Sequence, residues 1–148
     1  FWWDYAGQVL RPMPVAAEPT PLYCDLYKTA EDAFDAVSKV IRHGAGMQEI
    51  LDASGLIEER GFTVCDDLLH GFGGGYFQPI LGSRSRPAGK IPDMTLEENM
   101  TVVLQPNVTT TEADEVKRAG VQVGEMLRVT KTGFERMHRG ERKLFRIG

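Results

Sequence analysis

Leu69-His70-Gly71-Phe72-Gly73-Gly74-Gly75-Tyr76-Phe77-Gln78-Pro79 is the stretch around which this chain is organised. A histidine stands directly before a glycine-rich strip and an aromatic pair. Glycine lets a backbone approach a ligand or a neighbouring strand closely, and an imidazole beside it is placed to move protons in a pocket. The strip is not a phosphate cradle, because the order of strand, glycine loop and helix is missing and no Lys follows. His70 therefore has two readings: a pocket acid or base, or a histidine satisfied by a neighbouring backbone group or by Asp67. Asp66 and Asp67 do not read as a paired acid-base set, since adjacent strand residues point to opposite faces.

Toward the N-terminus, Phe62 to Cys65 reads as a short strand leading into this strip. Before it, Met47 to Arg60 reads as one helix with Ile50, Leu51 and Ile57 inward and Gly61 as its stop. From Leu22, the apolar positions Leu26, Ala30, Ala33, Phe34, Val37, Val40 and Ile41 recur at helical spacing, predicting an amphipathic helix of about six turns that ends before Gly44. Thr20 is its N-cap and Pro21 sits where a missing N–H is harmless. Phe1 to Leu10 reads as a strand or the end of a hairpin, and Arg11 to Pro21 as a proline-broken connector. Toward the C-terminus, Ser83 to Arg86 lies in a loop, read either as an exposed connector or as a substrate-facing segment. Thr101 to Leu104 predicts a strand closed by Pro106, Thr109 to Lys117 a loop or hairpin excursion, and Val121 to Thr130 further strand up to a turn at Lys131 to Gly133. The basic tail from Arg136 is read as an exposed edge and terminus.

The 148 residues suit one domain, with 42% hydrophobic and 26% charged content. A net charge of −4 disfavours nucleic acid and anionic membranes as partners, and no run is long and apolar enough to span a bilayer. Cys24 and Cys65 lack metal-motif or redox-motif spacing and read as buried free thiols, which points to the cytoplasm. Phe1, Trp2 and Trp3 make a poor free terminus, so the expectation is a chain continuing upstream, with a further N-terminal domain there.

His70-Gly-Phe-Gly, Pro79, Glu98 to Pro106 and Gly120 to Thr130, with Tyr5 to Arg11 earlier, occur in an order that resembles the catalytic domain of the creatinase, prolidase, aminopeptidase P and methionine aminopeptidase family. The resemblance spans nearly all of residues 1–148. It implies an α+β pita-bread fold, a curved antiparallel sheet backed by helices with the active site inside the curve, here lacking the N-terminal edge of the domain, and it implies a homodimer.

Active members of that family hold two divalent ions on an Asp, a second Asp, a His, a Glu before Pro and a late Glu. On this chain the first Asp falls upstream of Phe1, the second on Gln8, the His on His70, the Glu before Pro on Gln105, and the late Glu on Gly124 with Glu125 beside it. A further family histidine falls on Phe77 and the Glu after it on Gln78. Neutral amides donate weakly to hard cations and do not compensate their charge. No cofactor is therefore expected, or at most a single weakly held divalent ion. Gln8 and Gln105 are expected to bond each other or a polar ligand. Glu125, one residue from a ligand position, points to the opposite face unless a bulge turns it inward. The leading functional expectation is a metal-independent hydrolase of a small amide, amidine or peptide, with His70 and Glu125 catalytic and Gln8, Phe77, Gln78 and Gln105 lining the pocket. The alternatives are a non-catalytic peptide- or partner-binding module, and an atypical Xaa-Pro metallopeptidase with displaced ligands.

Overall fold

The Thr20 hydroxyl accepts the Tyr23 N–H at 3.2 Å and opens helix α1, Pro21–Ser38, in the computed structural model of the chain. Residues 4–148 are described, with Glu115 described in its backbone alone; Phe1, Trp2 and Trp3, part of the expected first strand, lie outside. α1 buries Leu26, Ala30, Ala33, Phe34 and Val37, each large apolar side chain contributing on the order of 1.5–3 kcal/mol. The helix ends sooner than its periodicity predicts. Beyond Ser38, the His43 N–H donates to Thr130 O at 2.9 Å and the Gly44 N–H to Leu96 O at 2.7 Å, so tertiary acceptors replace helical ones. Ile41 stays buried all the same, carried by a turn.

The second predicted helix is two, α2 at Met47–Ala53 and α3 at Leu56–Glu59. At the break Ser54 Oγ donates to Leu51 O at 2.7 Å, and the Arg84 guanidinium lies 2.9 Å from where a Gly55 Cβ would be. Arg84 also pairs with Asp52, and Ser85 with Glu58, so the loop carrying Ser83 to Arg86 is docked on these helices. Gly61 stops the pair at φ +79°.

The strands are β1 (Val9–Leu10), β2 (Phe62–Val64), β3 (Leu69–Phe72), β4 (Tyr76–Leu81), β5 (Thr101–Leu104), β6 (Asn107–Thr110), β7 (Gly120–Gln122), β8 (Gly124–Val129) and β9 (Phe134–Arg136). One sheet runs β1-β8-β5-β3-β4 with β9 also on β8; a second runs β2-β6-β7, and all named pairings are antiparallel. Thr109 and Thr110, expected in a loop or hairpin excursion, belong to β6, which pairs antiparallel with β7: Pro106 interrupts the ladder and the chain passes from the large sheet to the small one. α1 packs against β6 and β7. The tail is no loose edge. β9 extends the large sheet, Arg142 bonds Glu31 and Asp35 on α1 and lies 3.9 Å over the Phe34 ring, and Ile147 bridges Val15. Both thiols are free, but Cys24 is exposed and Cys65 half-buried: α1 turns Cys24 away from its apolar stripe.

Candidate active site

Directly paired residues of an antiparallel ladder share a face. His70 opposes Val103, which opposes Met126, while Leu69, Leu104 and Glu125 form the neighbouring row on the other face. Leu69 and Leu104 of that row, and Leu127 on the same face, enter the apolar core. The opposite face carries His70, and there the candidate positions gather. Gln8 Nε2 donates to Gln105 Oε1 at 2.5 Å; Gln105 Nε2 donates to Asp67 Oδ1 at 2.7 Å; the Tyr76 hydroxyl donates to Asp67 Oδ2 at 2.5 Å. Tyr76 then stacks on the His70 ring, with centroids 4.0 Å apart and planes 17° from parallel.

His70 is wholly buried. Its Nδ1 lies 3.2 Å from Gly71 O, a carbonyl that only accepts, so Nδ1 is the donor of this contact and, in the neutral ring, Nε2 is the acceptor. Nε2 is buried with no partner among the described residues. The imidazole is thus backed by a backbone group, while Asp67 serves Tyr76 and Gln105 instead. Of the two carboxylates before the strip, Asp66 is exposed and receives the Asp67 N–H, and Asp67 turns inward.

Glu125 does not join this group. β8 keeps unbroken register with β5 from Glu125 to Arg128, so no bulge rotates it; the register shift lies between His70 and Gly71. On its own face Glu125 is fully buried, with Arg11 at 2.5 Å, Arg136 at 2.7 Å and His138 Nδ1 at 2.9 Å. The pairing of Glu125 with His70 as a catalytic couple is corrected accordingly: the strand alternation puts the sheet between them.

Phe77 and Gln78 are exposed, and Gln78 Oε1 accepts the Ile80 N–H. They line a cleft of about 420 Å³ with Tyr5, Phe72, Pro79 and Met100, floored by glycine backbone. In the sequence Tyr76 is marked only by its place between Gly75 and Phe77, and Asp67 only as a candidate partner of His70; nothing local marks Leu10 or Arg11 as site-forming.

The residues present do not fit a pair of divalent ions. Two positions hold amides already bonded to one another, and at Gly124 a Cβ would lie 3.1 Å from both Gln105 Cβ and Leu10 Cδ1, so neighbouring side chains fill the space that a side chain there would need. Among the described residues no group of three His, Cys, Asp or Glu is gathered around one point.

The model of metallopeptidase family M24 matches residues 1–131. This chain belongs to metallopeptidase family M24. Comparison with curated protein sequences gives no match. Among solved structures, the M24 chain is similar to an Xaa-Pro dipeptidase from Bacillus anthracis (TM-score 0.80, 22% identity, 97% of this chain and 38% of that one). An X-Pro aminopeptidase from Thermotoga maritima gives TM-score 0.77 at 18% identity over 97% of this chain and 38% of that one. A methionine aminopeptidase from Rickettsia prowazekii gives 0.66 at 24% over 81% and 54%. The fold is the pita-bread fold, and the chain spans 38% of the first two of these relatives.

Two phenols report on this packing. Burial, then the Asp67 hydrogen bond, holds the Tyr76 hydroxyl protonated well above the ordinary tyrosine range; although half the residue is exposed, the hydroxyl is turned toward buried Asp67. Burial, then the Glu31 carboxylate, pushes Tyr27 up to about 12 from 10.0. In both cases the folded state binds the proton more tightly, so the stabilisation is complete below the unfolded value near 10 and is lost as pH rises through the folded one. Absorbance at the phenolate band is expected to show both tyrosines protonated in folded protein at about pH 11, with a lower denaturant midpoint there than at about pH 9. Ionisation of all tyrosines together near 10 would contradict it.

Proposed function

We propose that this M24 chain binds a short peptide of Xaa-Pro type in the cleft beside Phe77 and Gln78 and does not hydrolyse it by the two-metal route. The observation that carries this reading is the closed series Gln8–Gln105–Asp67–Tyr76, in which polar groups at former ligand positions satisfy one another. The cleft's aromatic and proline walls beside the glycine run suit a small peptide, apolar contact supplying affinity and main-chain groups orientation. Its substrate class comes from the similarity to the Xaa-Pro dipeptidase and X-Pro aminopeptidase; a homodimer in the cytoplasm belongs to the same reading.

Metal-free hydrolysis of a small C–N bond is the second reading, favoured by one specific feature: the lone pair on His70 Nε2. Proton transfer needs the base within hydrogen-bond reach of the substrate, and His70 is enclosed, without Glu125 to assist it. The binding reading is therefore preferred.

Elemental analysis after equilibration with micromolar Mn, Co or Zn is expected to find less than about one ion per chain, since each carboxylate lost from a hard-cation site weakens it by at least 10–100-fold. Calorimetry with an Xaa-Pro dipeptide is expected to show saturable binding with no turnover. Two ions per chain would overturn the first half, and turnover lost in His70→Ala would replace the binding reading with the hydrolytic one.

A further inference from the structure

We infer that Tyr76 is a gate over His70, a positioning residue whose hydroxyl latch on Asp67 decides whether the imidazole meets a ligand. Resting on the pocket reading above, this adds a closed and an open state to it. Three observations converge. The Tyr76 ring lies flat on His70 at 4.0 Å, and the residue is 52% exposed while His70 is fully buried, so Tyr76 forms the solvent side of a cover. Its backbone pairs with Phe72 in the β3–β4 ladder, but its side chain is fixed by ring packing on His70 and Phe72 and by the hydroxyl bond to Asp67, which Gln105 holds and Gln8 in turn braces through Gln105. Beneath the cover, His70 Nε2 is buried with no hydrogen-bond partner among the described residues.

A buried acceptor without a donor is unfavourable, so a conformer that lets Nε2 meet a donor gains a hydrogen bond that offsets loss of the stack. The chain entering Tyr76 is Gly73-Gly74-Gly75, and a side chain at Gly74 would meet nothing within 4 Å. Gly74 is thus the open position of the run, while Gly75 lies against the Phe77 ring and Gly73 accepts the Ala6 N–H. The class of ligand follows: a flat ring or proline ring that takes the place of the tyrosine on the imidazole, with an N–H or O–H directed at Nε2. Gln8 and Gln105, at positions of lost acids, then act as the brace that keeps Asp67 ready to re-latch the gate.

The test is histidine labelling by diethyl pyrocarbonate near neutral pH, mapped by mass spectrometry on the intact chain. The three histidines provide their own scale, since His43 is exposed. In the wild type His70 is expected to react at least about tenfold more slowly than His43. Tyr76→Phe keeps the ring and removes the latch, and is expected to raise the His70 rate by about three- to tenfold; Tyr76→Ala should bring it to within about threefold of His43. Circular dichroism and an unchanged His43 rate establish that the variants are folded. Wild-type His70 labelled as fast as His43, or folded Tyr76→Ala protein with His70 still as protected as in the wild type, overturns the gate; a Tyr76→Phe rate equal to wild type removes the latch. Labelling requires neither metal nor peptide, so its failure leaves the binding result standing, and absent peptide binding leaves the gate standing.

Discussion

Glu125→Ala is expected to lower the stability of this M24 domain by about 3–5 kcal/mol, because removing one partner of a buried ion pair leaves the opposite charge uncompensated. Here one carboxylate, fully buried, answers two guanidiniums and an imidazole. Arg11 comes from the segment after β1, Arg136 from β9 and His138 from the tail beyond it, so Glu125 joins both ends of the described chain at the middle of the large sheet. Arg11 also donates to Leu10 O and Gly124 O, bonds that remain in the variant and keep its charge in place without a counterion. For a domain of this size that loss corresponds to roughly 6–20 °C in Tm. Thermal unfolding followed by circular dichroism checks it. Arg136→Ala should do less, since the side chain of Arg136 is partly exposed and Arg11 stays paired. A Glu125→Ala protein as stable as wild type would show that the cluster is dispensable.

Gly71→Ala is expected to cost about 2–3 kcal/mol and to expose His70 to labelling at the same time, since overpacking against backbone cannot be relieved by a rotamer change. A Cβ at Gly71 would stand 2.6 Å from Gln78 O and 3.1 Å from Phe77 O. That crowding arises at the register shift between His70 and Gly71, where the ladder passes from Ile80 to Phe77 and β4 turns at Pro79. Opening the shift moves Phe77 and, next to it, Tyr76, which spans His70. Urea unfolding and diethyl pyrocarbonate mapping of the same sample measure the two effects. Lost stability with His70 still protected would mean that the bulge supports the sheet but not the gate.

Much of this architecture is legible in the residues. The apolar stripe of α1, its Thr20 and Pro21 start, and the Gly61 stop are local signals, set by side-chain period, capping chemistry and positive φ, and each forms as the sequence predicts. The ordered motifs around His70, Gln105 and Gly124 point to the M24 fold for the same reason: they are short strings whose spacing survives when individual ligands are exchanged. Helix ends were less legible, because the donors of His43 and Gly44 go to Thr130 and Leu96, residues far away along the chain.

Sequence by itself determined that Gln8, Gln105 and Gly124 carry no carboxylate, since residue type decides charge. Only the tertiary structure decided what surrounds them. It put Leu10 and Gln105 into the space beside Gly124, closed the amides onto Asp67, laid Tyr76 across His70, and turned Glu125 to the opposite face, against two guanidiniums and the His138 imidazole. Those contacts join residues from distant parts of the chain. Strand register and sheet order bring them together, and neither is encoded in any local pattern.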